Sequence, residues 1–430
     1  MRIVFINPGA AEQIYQTVSY NVAIEPPYWV ASWAASERER GHDVFLIDAE
    51  VEHIAPGGVA LAVKDYNPDK VIVVALGITP SCSSTPKMVA ATAICKAVRF
   101  VPQVGIAGIH SLALPEQTLK ETGADFIYHA GDTGKMPAWD FLPMSEYRCH
   151  NWHGWGQPSR QPYASLYTSF GCPYKCDFCT VNKMHSRVSF LDPDVVLDRI
   201  DFLHNNFGIK NIKFADEIFN LNRAHVEAIC KGLIERNYGL NIWSFCYANS
   251  MTDRLAEVMV KAGIRGHAYG IESGNDKVRE GVLKHVTTDK IRDAIRMSRR
   301  AGAIISGDYI FGLPDDDMGF MQSTLDLAKE ILAEHTNFYC CMAYPGSYLY
   351  KVTPREDLPD TWDAYSQYSP KFKPLPTKYL SPKEVLAFRD NAFIEYYSQP
   401  EYQRMIEKLG GLDDIKEVLA HKLRRDLLET

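Results

Sequence analysis

Short β-branched runs alternate with helical stretches twice along this chain, and no other feature of the sequence limits its folding choices as much. In the first series the runs are Ile3-Val-Phe-Ile6, Val44-Phe-Leu-Ile47, Val71-Ile-Val-Val-Ala75, Val104-Gly-Ile106 and Phe126-Ile-Tyr128, with helical patterns at Trp29–Arg40 and Pro86–Arg99. Such alternation predicts βαβ units and a Rossmann-like open parallel sheet. In the second series strand runs lie near Ser165–Ser169, Ile212–Ala215, Asn241–Phe245, His267–Ile271, Ile304–Phe311 and Phe338–Ala343. Helical stretches such as Pro193–Asn205, Arg223–Arg236, Asp253–Ala262 and Thr288–Ala301 separate them. Six strand-helix units predict a partial (β/α)6 TIM barrel, smaller than the full eight-unit form.

Between the two series the chain is irregular and rich in Pro, Trp, His and Gly, as in Asn151-Trp-His-Gly-Trp-Gly-Gln-Pro158, and reads as a linker lying across surfaces. Beyond Tyr350 the pattern is helical and polar, with Ser381 and Glu384 spaced as a capping box. The expectation is an α/β chain in four parts: a Rossmann-like sheet over 1–132, a linker over 133–162, the partial barrel over 163–350 and a helical C-terminal extension over 351–430.

With 430 residues, 46% of them hydrophobic, the chain is able to bury a large core. Its net charge of −7, spread without long runs of one sign, offers no basic stripe for a phosphate backbone, which argues against a nucleic-acid substrate. No apolar run reaches the roughly 18 residues of a membrane span, and Met1-Arg-Ile-Val-Phe-Ile-Asn-Pro8 reads as a strand rather than a signal peptide. A cytoplasmic location is expected. Ten cysteines, scattered singly apart from one cluster and the pair Cys340 and Cys341, suit a reducing compartment better than a disulfide framework. Cys82, Cys95, Cys149, Cys230 and Cys246 read as small buried apolar side chains.

The cluster is Tyr167-Thr-Ser-Phe-Gly-Cys172-Pro-Tyr-Lys-Cys176-Asp-Phe-Cys179, three thiols within eight residues directly after a strand. Three thiolates are able to ligate three irons of a cubane and leave the fourth iron free, whereas fully protein-ligated clusters carry four cysteines. The alternatives are three unrelated thiols or a zinc site completed by a histidine such as His185, although zinc sites pair two-cysteine knuckles and this chain has no second one.

The C-x3-C-x2-C spacing, with the aromatic Phe178 before the last cysteine, resembles the radical S-adenosylmethionine superfamily. Later strand ends resemble that family in order: Lys213-Phe-Ala-Asp216-Glu217, Gly270-Ile-Glu272-Ser273-Gly274, Gly312-Leu-Pro314 and Tyr344-Pro-Gly-Ser347. The resemblance implies a [4Fe-4S] cluster on Cys172, Cys176 and Cys179. It also implies S-adenosylmethionine beside Phe178, with Asp216 and Glu217 at its ammonium, Glu272 and Ser273 at its ribose and methionyl groups, and Gly312 to Pro314 beside its adenine. Where relatives often carry an arginine after the third strand, this chain reads Cys246-Tyr-Ala-Asn249, so that residue's role has no counterpart here.

An open sheet ahead of such a barrel resembles the cobalamin-binding half of the cobalamin-dependent (class B) members. The matching residues are Glu25-Pro-Pro27, Pro80-Ser-Cys-Ser-Ser-Thr-Pro86 and Gly108-Ile-His110 followed by Leu114-Pro-Glu116. The resemblance implies cobalamin near Thr79, Ser81, Ser83, Gly108 and His110. The chain lacks the Asp-x-His-x-x-Gly motif that supplies an axial histidine elsewhere, and His129 stands where relatives usually have glycine. The implied activity is methyl transfer to an unactivated carbon of a small molecule, with an electron donor such as flavodoxin or ferredoxin. The alternatives are a radical rearrangement, cyclisation or oxidation, a sheet that only scaffolds the barrel, and a cofactor-binding sensor that does not turn over.

Overall fold

Two parallel sheets, one from each alternating series, carry the molecule. The computed structural model describes residues 1–16, 22–77 and 79–429, apart from the side chains at 12, 13, 80 and 81. The first sheet contains β1 (Arg2–Asn7), β2 (Asp43–Asp48), β3 (Lys70–Val74), β4 (Gln103–Ala107) and β5 (Phe126–Ile127), in the order β2-β1-β3-β4-β5 with every neighbouring pair parallel. These strands are buried and β-branched because helices cover both faces. The order reverses between β1 and β3. In an open α/β sheet that switch point, at the carboxyl ends of the strands, is where a crevice forms.

The second sheet is β6 (Tyr163–Leu166), β9 (Asn211–Phe214), β10 (Asn241–Cys246), β11 (Ile264–Glu272), β12 (Ile304–Phe311) and β13 (His335–Cys340). They pair in sequence order, all parallel, as an opened barrel. The two-residue strands β7 (Ser169–Phe170) and β8 (Ser189–Phe190) form an antiparallel pair that clasps the base of the segment between them, which holds the three clustered cysteines. Helix ends follow local chemistry: Asp192, Asn222, Thr252, Thr287 and Asp317 each accept a first-turn N–H as N-caps. The last strand sits three residues earlier than the run Phe338–Ala343 suggests, because His335 and Asn337 on its inner face are polar and break the apolar pattern.

In the irregular segment after β5, Trp139 and Tyr147 are fully buried and join the same core as the barrel. Arg199, from the barrel helix Pro193–Phe207, donates to Asp132 at 3.0 Å and to the Tyr28 hydroxyl at 2.8 Å, and Tyr28 donates in turn to Asp132 at 2.5 Å. Arg199 and Asp132 are almost completely buried, so this ion pair locks the first sheet's helix Tyr28–Glu39 against the barrel. The C-terminal region returns to both halves. The helix Pro382–Tyr397 opens with the expected Ser381/Glu384 capping box and packs on β13, while Trp362 donates to Glu121 at 2.7 Å and sits edge-on to His110.

Candidate active site

A cavity of about 1070 Å³ lies where the carboxyl ends of the two sheets face each other. Its wall includes Asn7 from the end of β1, Leu76, Gly77, Thr79, Cys82 and Ser83 from beyond β3, all three clustered cysteines, and inward-facing side chains of the barrel strands. Single-ligand pockets usually span about 300–1,000 Å³. This cavity lies at the top of that range.

The cysteine loop is held by backbone contacts and by the Asn182 amide, which donates to Tyr174 O at 3.0 Å. Gly171 turns the chain at φ +81°, and a Cβ there would lie 2.6 Å from the Arg187 carbonyl oxygen. Beyond it, Asp177 N donates to Val282 O at 3.1 Å, Leu349 N donates to Asp177 O at 3.0 Å and Cys179 N donates to Cys176 O at 3.0 Å. The thiols are left partly exposed toward the cavity. Burial pushes Cys176 and Cys179 up to about 11 and raises Cys172 as well, so a cation is needed to hold them as thiolates. Among the described residues no three His, Cys, Asp or Glu side chains converge as ligands of one metal ion. A cubane asks for something else, one thiolate to each of three irons. His185, the alternative zinc ligand, is wedged between the rings of Trp29 and Phe170 at 5.5 Å from each.

Opposite the loop, Glu272 ends β11 with φ +65°, a conformation that a non-glycine residue rarely adopts, where the pairing with β12 slips. The strained backbone aims its carboxylate into the cavity, 2.8 Å from Lys284 Nζ. Burial would lower Lys284, but Glu272 and then Cys176 hold it up. Glu217 also lines the cavity, accepts from Gly171 N at 3.1 Å, and is pushed up to about 7 by burial.

The residues singled out from sequence divide cleanly. Cys172, Cys176, Cys179, Phe178, Glu217, Glu272, Thr79 and Ser83 share this one cavity. Asp216 does not face it: its fully buried carboxylate accepts from Thr168 N at 2.7 Å and from the Thr168 and Ser169 hydroxyls at 2.6 Å each. Ser273 points away too, bonded to Thr324 at 3.3 Å. Gly108 is not among the residues lining this cavity, and a Cβ there would lie 2.5 Å from Ala75 O and 2.8 Å from Ser84 Oγ. His110 is wholly buried, with Nδ1 3.2 Å from Thr85 Oγ1, and burial pushes it down to about 4. The Ser81 side chain lies outside the described residues.

Cys82 corrects an expectation. It is exposed rather than buried, because it opens into the cavity at the end of β3. Sequence reasoning also passed over Glu25, Lys213, Asp308 and Lys284 as site residues. For two of them a signal existed, since Lys213 and Asp308 are charged residues in the middle of strands, at inward-facing positions.

Residues 166–328 match the family described as the Radical SAM superfamily. Over 93% of its length the chain is 23% identical to 93% of an uncharacterized methyltransferase of Pyrococcus horikoshii. It is 24% identical to the anaerobic magnesium-protoporphyrin IX monomethyl ester cyclase of Rubrivivax gelatinosus, over 87% of this chain and 74% of that one. Among solved structures, the radical S-adenosylmethionine methyltransferase TsrM from Kitasatospora setae, with cobalamin and a [4Fe-4S] cluster bound, superposes with a TM-score of 0.65 at 17% identity, covering 81% of this chain and 76% of that one. The cobalamin-dependent S-adenosylmethionine radical enzyme OxsB, with aqua-cobalamin and S-adenosylmethionine bound, superposes with a TM-score of 0.66 at 14% identity, covering 97% and 71%. Among the described residues no helix is long and apolar enough to cross a membrane.

Proposed function

We propose that this chain, whose residues 166–328 match the Radical SAM superfamily, is a radical S-adenosylmethionine enzyme that uses cobalamin to deliver a methyl group to a carbon of a small-molecule substrate. One observation carries this reading: the crevice of a β2-β1-β3-β4-β5 sheet and the three cysteines at the head of the barrel open into a single cavity. Cys172, Cys176 and Cys179 would hold the cluster, while Glu217 and Glu272 would receive the amino and hydroxyl groups of the cosubstrate as charge-assisted hydrogen-bond acceptors. The strand-end wall of Asn7, Leu76, Gly77, Thr79, Cys82 and Ser83 would face the corrinoid. When bound, the cluster supplies the electron that splits the sulfonium C–S bond, and the corrinoid supplies the methyl group. The protein's own contribution is to hold these groups in one water-poor space with the substrate.

A second reading, radical cyclisation or oxidation, is favoured by the cyclase of Rubrivivax gelatinosus, which aligns over most of this chain. Product analysis separates the two, because methyl transfer yields S-adenosylhomocysteine and 5′-deoxyadenosine in comparable amounts and the rival yields only the second. Anaerobically reconstituted protein should carry about four irons, lost when all three clustered cysteines become alanine, and should keep hydroxocobalamin through gel filtration. Stoichiometric zinc without iron would sink the cluster. Protein that cleaves S-adenosylmethionine yet retains no corrinoid would sink the methyl-transfer reading and leave the second.

A further inference from the structure

Below the cluster and the strand-end carboxylates, the inner faces of the middle barrel strands form a second layer of the cavity: Lys213 on β9, Trp243 and Phe245 on β10, Ala268 on β11, Asp308 on β12 and Asn337 on β13. The charges of this layer do not balance. Lys213 is answered by Glu25, 3.3 Å from its ammonium, and Glu25 is fixed further by the Tyr163 hydroxyl at 2.8 Å. Lys284, one layer up, is answered by Glu272 at 2.8 Å. Asp308 has no such answer. Its one side-chain partner is the neutral Asn337 amide, which donates to one carboxylate oxygen at 2.7 Å, and among the described residues no cation lies within ion-pair distance of it.

The imidazoles on this side of the cavity do not supply the charge either. His335, stacked on Trp152 at 4.2 Å and bonded through Nδ1 to Ser306, is pushed down to about 3 by burial, and His150 is lowered by burial as well. Burial, reinforced by the Glu272 carboxylate, outweighs Asn337, Lys284 and Lys213 and pushes the Asp308 carboxyl up to about 6. Its side chain is half-buried and opens into the cavity. A carboxylate that faces a cavity with no cation beside it favours a ligand that brings one. A strand residue aimed into a ligand cavity and steadied by a neutral amide has the geometry of a receptor for such a ligand.

We propose that Asp308, oriented by Asn337, is the substrate's anchor, and that the substrate is an organic amine whose protonated nitrogen pairs with Asp308 while its apolar body rests on the aromatic wall of Trp243, Phe245 and Tyr339. The proposal deepens the reading of the cavity as a substrate site and rests on it. The Trp243 and Phe245 rings already carry the Lys213 ammonium, 5.5 Å from each centroid, so they offer the substrate an apolar surface for its carbon skeleton, and its ammonium is left to Asp308, with Tyr339 of β13 also lining the cavity. A substrate carboxylate would instead face Asp308 with like charge and find Lys213 already engaged.

The test needs no turnover, so it stands apart from the fate of the methyl-transfer reading. Binding of 4-phenylbutylamine and of its neutral analogue 4-phenylbutanol to the cluster-reconstituted protein is measured by calorimetry at neutral pH, with and without S-adenosylmethionine. The ammonium should bind about tenfold more tightly than the alcohol, the worth of one charge-assisted hydrogen bond. Asp308→Asn should bring the two ligands to within about twofold of each other, with the cluster absorbance and S-adenosylmethionine affinity unchanged. Asn337→Ala should lose part of the preference. Equal binding of the two ligands by the unaltered protein overturns the proposal without any variant. So does a preference that survives Asp308→Asn, or an Asp308→Asn variant whose only defect is weaker S-adenosylmethionine binding.

Discussion

At the scale of single residues, Asp216 and Glu217 show how neighbours in sequence part in function. Asp216 accepts three hydrogen bonds inside the protein, and Glu217 faces the cavity with one. Asp216→Asn turns part of an acceptor into a donor opposite three donors and should cost about 2–3 kcal/mol of stability, read from the denaturation midpoint. Glu217→Gln should leave the fold intact and weaken S-adenosylmethionine binding by about tenfold or more. The pH dependence follows from the raised folded pKa of Glu217, about 7. Such a carboxyl favours the folded state when protonated, and that contribution is lost as pH rises from its ordinary value through about 7. Ligand-free Glu217→Gln should therefore gain stability relative to the parent at pH 8 and gain none at pH 4, and an equal difference at both would remove the effect. Gly171→Ala combines a left-handed φ with a carbonyl 2.6 Å from the new carbon. It should cost at least about 1–2 kcal/mol and lower the iron content after reconstitution.

Among the elements, the helix Pro382–Tyr397 links a local rule to the cavity. Its capping box is legible in Ser381 and Glu384, while the side chains it delivers to the wall, Arg389, Asp390, Phe393 and Ile394, follow no motif. Ser381→Ala should lower stability by about 1 kcal/mol in equilibrium unfolding and leave cluster iron unchanged. The strand β11 is the opposite case. Its Gly270-Ile-Glu272 end is recognisable as a motif, but the slip in register and the positive φ that turn Glu272 toward Lys284 come from packing against β12. Runs read as strands were found as strands because burial on both faces demands apolar, β-branched side chains. The ends of β13 moved by three residues, where the polar His335 and Asn337 line the cavity, while β12 kept its expected bounds despite the inward-facing Asp308.

In the whole molecule, the buried pair Arg199–Asp132 and the strut from Trp362 to Glu121 make two sheets into one body around the cavity. Arg199→Met should leave Asp132 a buried anion without its cation and cost about 3–5 kcal/mol, seen as a lower and broader melting transition. By itself the sequence determined the two parallel sheets and the three-thiol loop, because strand periodicity and short-range spacing are local properties that a chain carries with it, whereas Glu217 and Glu272, which line the cavity, were legible only through the family resemblance. It did not determine that Gly108 is closely packed and His110 fully buried, that Cys82 opens into the cavity, or that Lys213 has an ion-pair partner in Glu25 while Asp308, among the described residues, has none. Those facts depend on which side chains, up to 188 residues apart as in Glu25 and Lys213, are brought within a few ångströms. Charge balance and burial are properties of that neighbourhood, and only the tertiary structure decides them.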